Sequence, residues 1–345
     1  MTELVFITAN DIHISDGNPR SRVDNFKETV FDKIGQIRSA ASKLKADAIL
    51  IAGDLYNLKK PAHNSHSLNR ELVEAFQQIK CPRYMIAGNH DLFGNNLESL
   101  TSQPLGVLFE DGTLKNLAPQ VTAAKGEIQG LTQETIAKRD LKISLVGVPY
   151  IEDLDLDKLH IPPKGDCQVQ ICLMHIYAGP QSGNVFKERL YGYDELSRLG
   201  PDIFVLGHYH IDQGIQTIKG KTFVNLGSIA RGVLSDENID HKPKIGYVKV
   251  CLDNGKISIL TDSIPLKIKP AEEVFNLEKR EEEKNESVEM RVFVEYLIKE
   301  AQEGSPIDPT KNIETILNEM KLSAIIQNRT MDFINEAMAI AVAGV

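Results

Sequence analysis

The chain has 345 residues, with 39 Lys and Arg against 48 Asp and Glu, for a formal net charge of −9. That length suits one large domain plus a smaller one, and 42% hydrophobic residues suffice for a substantial core. The acidic balance argues against an indiscriminate nucleic-acid binder, and no apolar run approaches the ~20 residues of a membrane span.

In chain order, LVFIT reads as a first strand and runs into Asp11 and His13 of ANDIHIS. Residues 25–45 read as an amphipathic helix, with Phe26, Val30, Ile34, Ile37, Ala41 and Leu44 at spacings of three and four. AILIAG is the next strand and ends at Asp54. A helix is expected around residues 67–79, then the strand RYMIAG leading to Asn89, His90 and Asp91. Residues 105–140 are less regular, with a hairpin signal at Glu110-Asp111-Gly112. Strands resume at ISLVGV, VQICLM and IFVLG, the second delivering His175 and the third His208 and His210. GIQTI, TFVNLG, IGYVKVCL and KISILT then alternate like antiparallel strands, with Asp253-Asn254-Gly255 as a strong hairpin turn. β–α units followed by antiparallel strands fit two sheets packed face to face with helices outside.

Side groups that follow apolar strands on one sheet edge can converge on one cleft, which is where open α/β sheets bind ligands. Asp11 and His13 are expected on one side of an extended chain, and His208 and His210 likewise, because side chains alternate with period two. Carboxylate, neutral imidazole and one amide make a mixed O/N set suited to Mn²⁺, Fe²⁺ or Zn²⁺ rather than an all-oxygen Ca²⁺ cage. Asp54 in its Gly-Asp turn is a natural bridge between two ions, which ~3.5–4 Å apart can clamp the oxygens of a phosphoester. A lone histidine after a strand is ordinarily a core or edge residue. Here five of the nine histidines fall in ordered motifs, which outweighs that reading. His63, His66, His160 and His241 lie in polar segments and read as solvated, with His63 and His66 close enough to the Gly-Asp loop to be checked.

Taken together, Asp11-Ile12-His13, Gly53-Asp54, Gly88-Asn89-His90-Asp91, His175 and Gly207-His208-Tyr209-His210 closely resemble the motif series of the calcineurin-like metallophosphoesterases, over about the first 230 residues. The resemblance implies an α/β (α+β) fold, the four-layer αββα sandwich. It implies two divalent ions, Mn²⁺ first, with Mg²⁺, Fe²⁺ or Zn²⁺ open. One ion would take Asp11, His13, Asp54 and His210, and the other Asp54, Asn89, His175 and His208. His90 would be the acid near the leaving group, oriented by Asp91. DIHIS, GDLY, GNHDL and GHYHIDQG followed by NLGSIARG are most similar to the SbcD-type nucleases, which implies an exo- or endonuclease of DNA repair, recombination or replication. That branch commonly has a histidine three residues after the Gly-Asp aspartate. Asn57 stands there, which leaves the mode of cleavage open. A small-molecule or nucleotide phosphodiesterase or phosphatase of the same superfamily is the alternative. A non-catalytic scaffold is a third, opposed by the complete ligand set.

DNA contacts are expected from basic residues in loops after ligand-bearing strands, Arg20 and Arg22, Lys59 and Lys60, and Lys187 and Arg189, and from Arg231 and Lys242 after the Gly227-Ser228 segment. The catalytic domain is placed at residues 1–265 and a C-terminal helical region at 266–345. There the charged run KREEEKNE precedes an apolar stripe of Ile313, Ile316, Leu317 and Met320, continued by Met331, Ile334 and Met338. Such helices would serve to dock an SbcC-like ATPase or to form a homodimer. No membrane association is expected: the opening MTELVFITAND lacks the basic region and cleavage site of a secretory signal. Cys81, Cys167, Cys172 and Cys251 lack C-x-x-C spacing, so free thiols and a cytoplasmic location are expected.

Overall fold

The computed structural model describes residues 1–277 except Arg20, Lys125, Phe186 and Lys187. The apolar stripes expected in the C-terminal region lie outside the described residues. Met1–Phe275 forms one compact unit, where the sequence placed a boundary at residue 265. Val274 and Phe275 are buried in it beside Leu234.

The first sheet is built from β1 (Thr2–Ala9), β2 (Ala48–Ile51), β3 (Arg83–Met85) and β4 (Lys115–Asn116), all parallel. Between them run α1 (Phe26–Lys43), α2 (His66–Gln77) and α3 (Pro104–Glu110). Asn25 caps α1 by accepting the amide of Glu28, and Ser65 caps α2 by accepting that of Leu68, which satisfies amides the helices leave open. A small hairpin, β5 (Thr122–Ala124) and β6 (Glu127–Gln129), leads to β7 (Gln133–Lys138), β8 (Leu141–Val148) and β9 (Val169–His175). A three-stranded patch follows: β10 (Ala178–Gly179), β11 (Gly183–Val185) and β12 (Glu188–Gly192). Then come β13 (Ile203–Gly207), β14 (Gly214–Ile218), β15 (Lys221–Asn225), β16 (Lys244–Asp253) and β17 (Lys256–Pro265).

Two six-stranded sheets result, in the orders β17-β16-β1-β2-β3-β4 and β14-β15-β13-β9-β8-β7. β1 explains its own apolar run, because both of its faces are covered. Leu4 and Phe6 pack with Ile143, Ile171 and Val205 of the second sheet, whereas Ile7 and Ala9 pack with Phe26, Val30 and Leu72 of α1 and α2. The outer face of the second sheet carries Met174, Phe204 and Phe223 under Leu154, Tyr193 and Leu196. The layers expected from the sequence are therefore present.

Asn254 and Gly255 both take left-handed backbone (φ 48° and 80°) and join β16 to β17 as the hairpin turn expected of Asp-Asn-Gly. The second hairpin signal, at Glu110-Asp111-Gly112, is corrected. Glu110 ends α3, Asp111 caps it, and Gly112 turns the chain at φ 76°. A helix end and a tight hairpin both ask for a glycine at positive φ, so Asp-Gly alone does not separate them. All four cysteines are free, and among the described residues no helix is long and apolar enough to cross a membrane.

Candidate metal centre

The candidate ligands all sit just beyond the C-terminal ends of parallel strands: Asp11 and His13 after β1, Asp54 after β2, Asn89 after β3, His175 closing β9, and His208 and His210 after β13. Their convergence is not the work of strand alternation, as the sequence suggested. β1 stops at Ala9, and Asp11 and His13 both take left-handed backbone, at φ 51° and 50°. Asp54 and His208 do the same, at 52° and 87°. Asp and His tolerate this region better than most residues, but each instance still costs about 1–3 kcal/mol. Cross-links between loops hold it. His13 and Ile14 donate their amides to the carbonyls of Asp54 and Leu55 (3.0 and 2.9 Å), and Ser228 donates its hydroxyl to the carbonyl of Asp11 (2.7 Å). The approach leaves no room for side chains at Gly53, Gly88 and Gly207. A Cβ at Gly53 (φ 96°) would land on the His175 ring, and one at Gly88 on the Asp54 carboxylate.

Among the described residues two donor groups form. Asp11, His13, Asp54 and His210 bring one ligand atom each within 4.8 Å of one another, as do Asp54, His175 and His208. Asp54 belongs to both. Its Oδ1 accepts the amide of His90 (2.8 Å), while its buried Oδ2 has no hydrogen-bond partner among the described residues. That free oxygen lies 3.5 Å from His13 Nε2 and 3.4 Å from His175 Nε2. Asp11 repeats the pattern: Oδ1 accepts the amide of His208 (2.9 Å) and Oδ2 is buried without a partner. His13 Nε2 and His210 Nε2 face each other at 2.9 Å. Asn89 Oδ1 lies 3.1 Å from His175 Nε2, which adds it to the second group. Buried carboxylate oxygens without donors, ringed by imidazole nitrogens, are the arrangement a divalent cation satisfies, and this O/N set fits first-row divalent ions.

The charges agree. Burial pushes Asp11 up to about 7, with Asp54 adding to it against the pull of His175. Burial works against Asp54 too, but His175, His13 and His90 outweigh it and hold Asp54 well below the usual carboxylate range. For His13, burial and neighbouring His210 lower its affinity for a proton, which leaves the neutral form that ligates metals. His175 is the exception. Burial disfavours its charge, yet Asp54 and Asp11 win and raise it to about 9, so in this cluster it carries the compensating positive charge.

Around the centre, His90 Nδ1 donates to the carbonyl of Asn57 (2.7 Å), and its ring meets that of His13 edge-on at 4.8 Å. Asn57 thus contributes through its backbone. Asp91 does not orient His90 by a side-chain bond, which corrects the expected role. Its carboxylate accepts the amides of Leu55 and Tyr56 (3.0 and 3.1 Å) and of Gly88 (2.9 Å), so it pins the Asp54 loop to its own turn. Two basic residues also depart from expectation. Arg22 is 5% exposed, forks onto Asp24 at 2.7 Å, donates to the carbonyl of Arg231 and lies over Phe26 and Phe275. Arg231 is 3% exposed and donates to the carbonyl of Lys269. Both are structural, since a planar guanidinium fits between aromatic faces and fixed acceptors. Lys59 reaches Asn95 at 2.8 Å, Lys60 is exposed, and Arg189 is exposed beside Glu195. Arg20 and Lys187 lie outside the described residues. His63, His66 and His160 are exposed and outside both donor groups. His241, expected in solvent, is partly buried on the carbonyl of Ser228 (2.6 Å). The sequence reading passed over Glu188, whose Oε1 lies 2.7 Å from His208 Nε2.

The sequence pattern of the calcineurin-like phosphoesterases matches residues 4–212. The DNA double-strand break repair protein Mre11 of Sulfurisphaera tokodaii is 24% identical over 255 residues, covering 70% of this chain but 59% of that relative's length. In fold, the chain is similar to a Staphylococcus aureus structure provisionally described as a 5'-nucleotidase, with a TM-score of 0.52 and 16% identity over 78% of this chain and 55% of that one. A dimetal phosphatase from Danio rerio is also similar, with a TM-score of 0.45 and 10% identity over 77% of this chain and 99% of that one. With its motifs gathered at one strand edge and its family pattern running through all of them, the chain belongs to the calcineurin-like phosphoesterases.

Proposed function

We propose that the chain is a two-cation phosphodiesterase that cleaves DNA, a nuclease of SbcD type. The observation that carries the two-cation part is the buried Oδ2 of Asp54, which among the described residues has no hydrogen-bond partner and is set between His13 and His175. Asp11, His13, Asp54 and His210 would hold one ion, and Asp54, Asn89, His175 and His208 the other. Two bound divalent cations supply charge neutralisation at the phosphate oxygens and acidify a water nucleophile. The chain's own residues do the rest. The left-handed turns at Asp11, His13, Asp54 and His208 place their donor atoms, and Gly53 and Gly88 permit the close approach of His175 and Asp54. His90 donates its Nδ1–H to the Asn57 carbonyl in a hydrogen bond, which leaves Nε2 as the atom that would present a proton to the leaving oxygen. Of the basic residues expected to meet a phosphate backbone, Lys59, Lys60, Arg189 and Lys242 are the described ones left outside the core.

Support for DNA as substrate comes from the DIHIS, GDLY, GNHDL and GHYHIDQG segments and from the similarity to the Mre11 repair protein. The burial of Arg22 and Arg231 removes two of the expected backbone contacts, and this favours keeping a small phosphodiester as the second reading. A substrate panel with Mn²⁺ separates them: linear duplex, hairpin and single-stranded DNA against cyclic nucleotides and phosphomonoesters. Cleavage of DNA by the wild type, abolished in Asp54→Ala, is expected. Hydrolysis of cyclic nucleotides with DNA left intact would overturn the nuclease reading.

A further inference from the structure

Each histidine that closes on the second donor group has two ring nitrogens, and only one can face a cation. For His175 the choice is made by the backbone: Nδ1 donates to the carbonyl of Ala52 at 2.7 Å, so Nε2 points to Asp54 and Asn89. Among the described residues His208 has no such carbonyl on its ring. Its Nε2 meets Glu188 Oε1 at 2.7 Å, a charge-assisted distance. Tyr150 and Tyr177 stand against the same ring, with centroids 5.4 and 5.7 Å away. Glu188 opens β12, in the small sheet inserted between β9 and β13, and so comes from a different element than either ligand histidine. It lies outside the group of Asp54, His175 and His208 whose ligand atoms converge within 4.8 Å.

We infer that Glu188 is a positioning residue for His208: its carboxylate accepts the Nε2 proton and leaves Nδ1 as the nitrogen presented to the second cation. The inference rests on the two-cation reading of the centre. A neutral imidazole carries one proton, so a hydrogen bond at one nitrogen decides which nitrogen keeps its lone pair. A carboxylate partner also raises the donor strength of the ring, and losing such a partner typically costs about 10–100-fold in metal affinity. The side chain of Glu188 is 44% exposed, so its replacement removes no core packing.

The test uses the full chain as wild type, Glu188→Ala and Glu188→Gln, with two readouts. Calorimetric titration with Mn²⁺ gives the affinity of each ion, and ¹⁵N–¹H spectra of the imidazoles give the tautomer of His208 before metal is added. In Glu188→Ala the weaker of the two ions should lose about 10–100-fold in affinity, and the Nε2–H tautomer of His208 should give way to a mixture. Glu188→Gln keeps an acceptor oxygen and should recover affinity to within roughly five-fold of wild type. Unchanged affinity and tautomer in Glu188→Ala would reduce the contact to a surface ion pair and overturn the inference. Binding of a single ion by both variants would make Glu188 a direct ligand and overturn it as well. If the wild type itself binds fewer than two ions, the parent reading fails, and the tautomer spectra still decide whether Glu188 sets the ring.

Discussion

The two halves of the centre are built differently. In the second group the far nitrogens of both imidazoles are tied, His175 to the Ala52 carbonyl and His208 to Glu188. In the first group His13 Nδ1 is buried with no partner, and the Nε2 atoms of His13 and His210 face each other at 2.9 Å. The second group is oriented by hydrogen bonds that exist in the chain alone. The first lacks such a tie at His13 and keeps its imidazoles crowded together, while left-handed turns serve both groups, at Asp11 and His13 in one and at His208 in the other. The difference teaches that one centre can combine two kinds of preorganisation, and that Asp54, shared by both, is where they meet.

That comparison can be broken most severely at Asp54. Asp54→Ala should lower diester hydrolysis on the order of 10³-fold or more, since one side chain serves both groups. A loss confined to a few-fold in a steady-state assay would mean the halves work independently. His90→Asn should come next, with turnover on DNA down by about 10²–10⁴-fold and ion binding intact. With bis-p-nitrophenyl phosphate the loss should shrink, because that leaving group needs little protonation. Equal losses on both substrates would remove the acid role.

Protons sharpen the comparison. His175 is held up to about 9, so below that pH it carries a proton that a cation must displace. Apparent Mn²⁺ affinity should therefore rise with pH, by nearly tenfold per unit between about 7 and 9, and flatten above. Below about 7 the Asp11 proton is displaced as well, and the slope should steepen. A pH-independent affinity in calorimetric titrations would contradict this charge assignment.

The smallest effects separate structural from ligand-facing cations. Arg22→Ala breaks a buried pair with Asp24 and should cost about 3 kcal/mol in a denaturant titration. Lys60→Ala should leave stability unchanged and lower the log–log salt slope of DNA binding by about 1. The reverse pattern would restore Arg22 as a DNA contact.

Much of the centre was legible because each ligand follows an apolar strand, and parallel strands deliver their ends to one edge. The means of convergence was not legible. Asp-x-His suggested an extended chain, whereas Asp11 and His13 are placed by positive φ, a property set by the loops around them. Arg22 looked like a loop charge because its carbonyl acceptor, on Arg231, lies 209 residues away in sequence. Glu188 was overlooked between two basic residues because its partner is carried by another strand, 20 residues on. Helix α3 was missed because its Asp-Gly terminus shares its signal with a hairpin.

The central claim is that Asp54 bridges two cations, and the electron paramagnetic resonance spectrum of the Mn²⁺-saturated chain tests it most directly. A shared carboxylate should give two ions per chain with an exchange-coupled signal, reduced to an uncoupled one in Asp54→Ala. Saturation at one ion, or two ions with independent signals in the wild type, would contradict it.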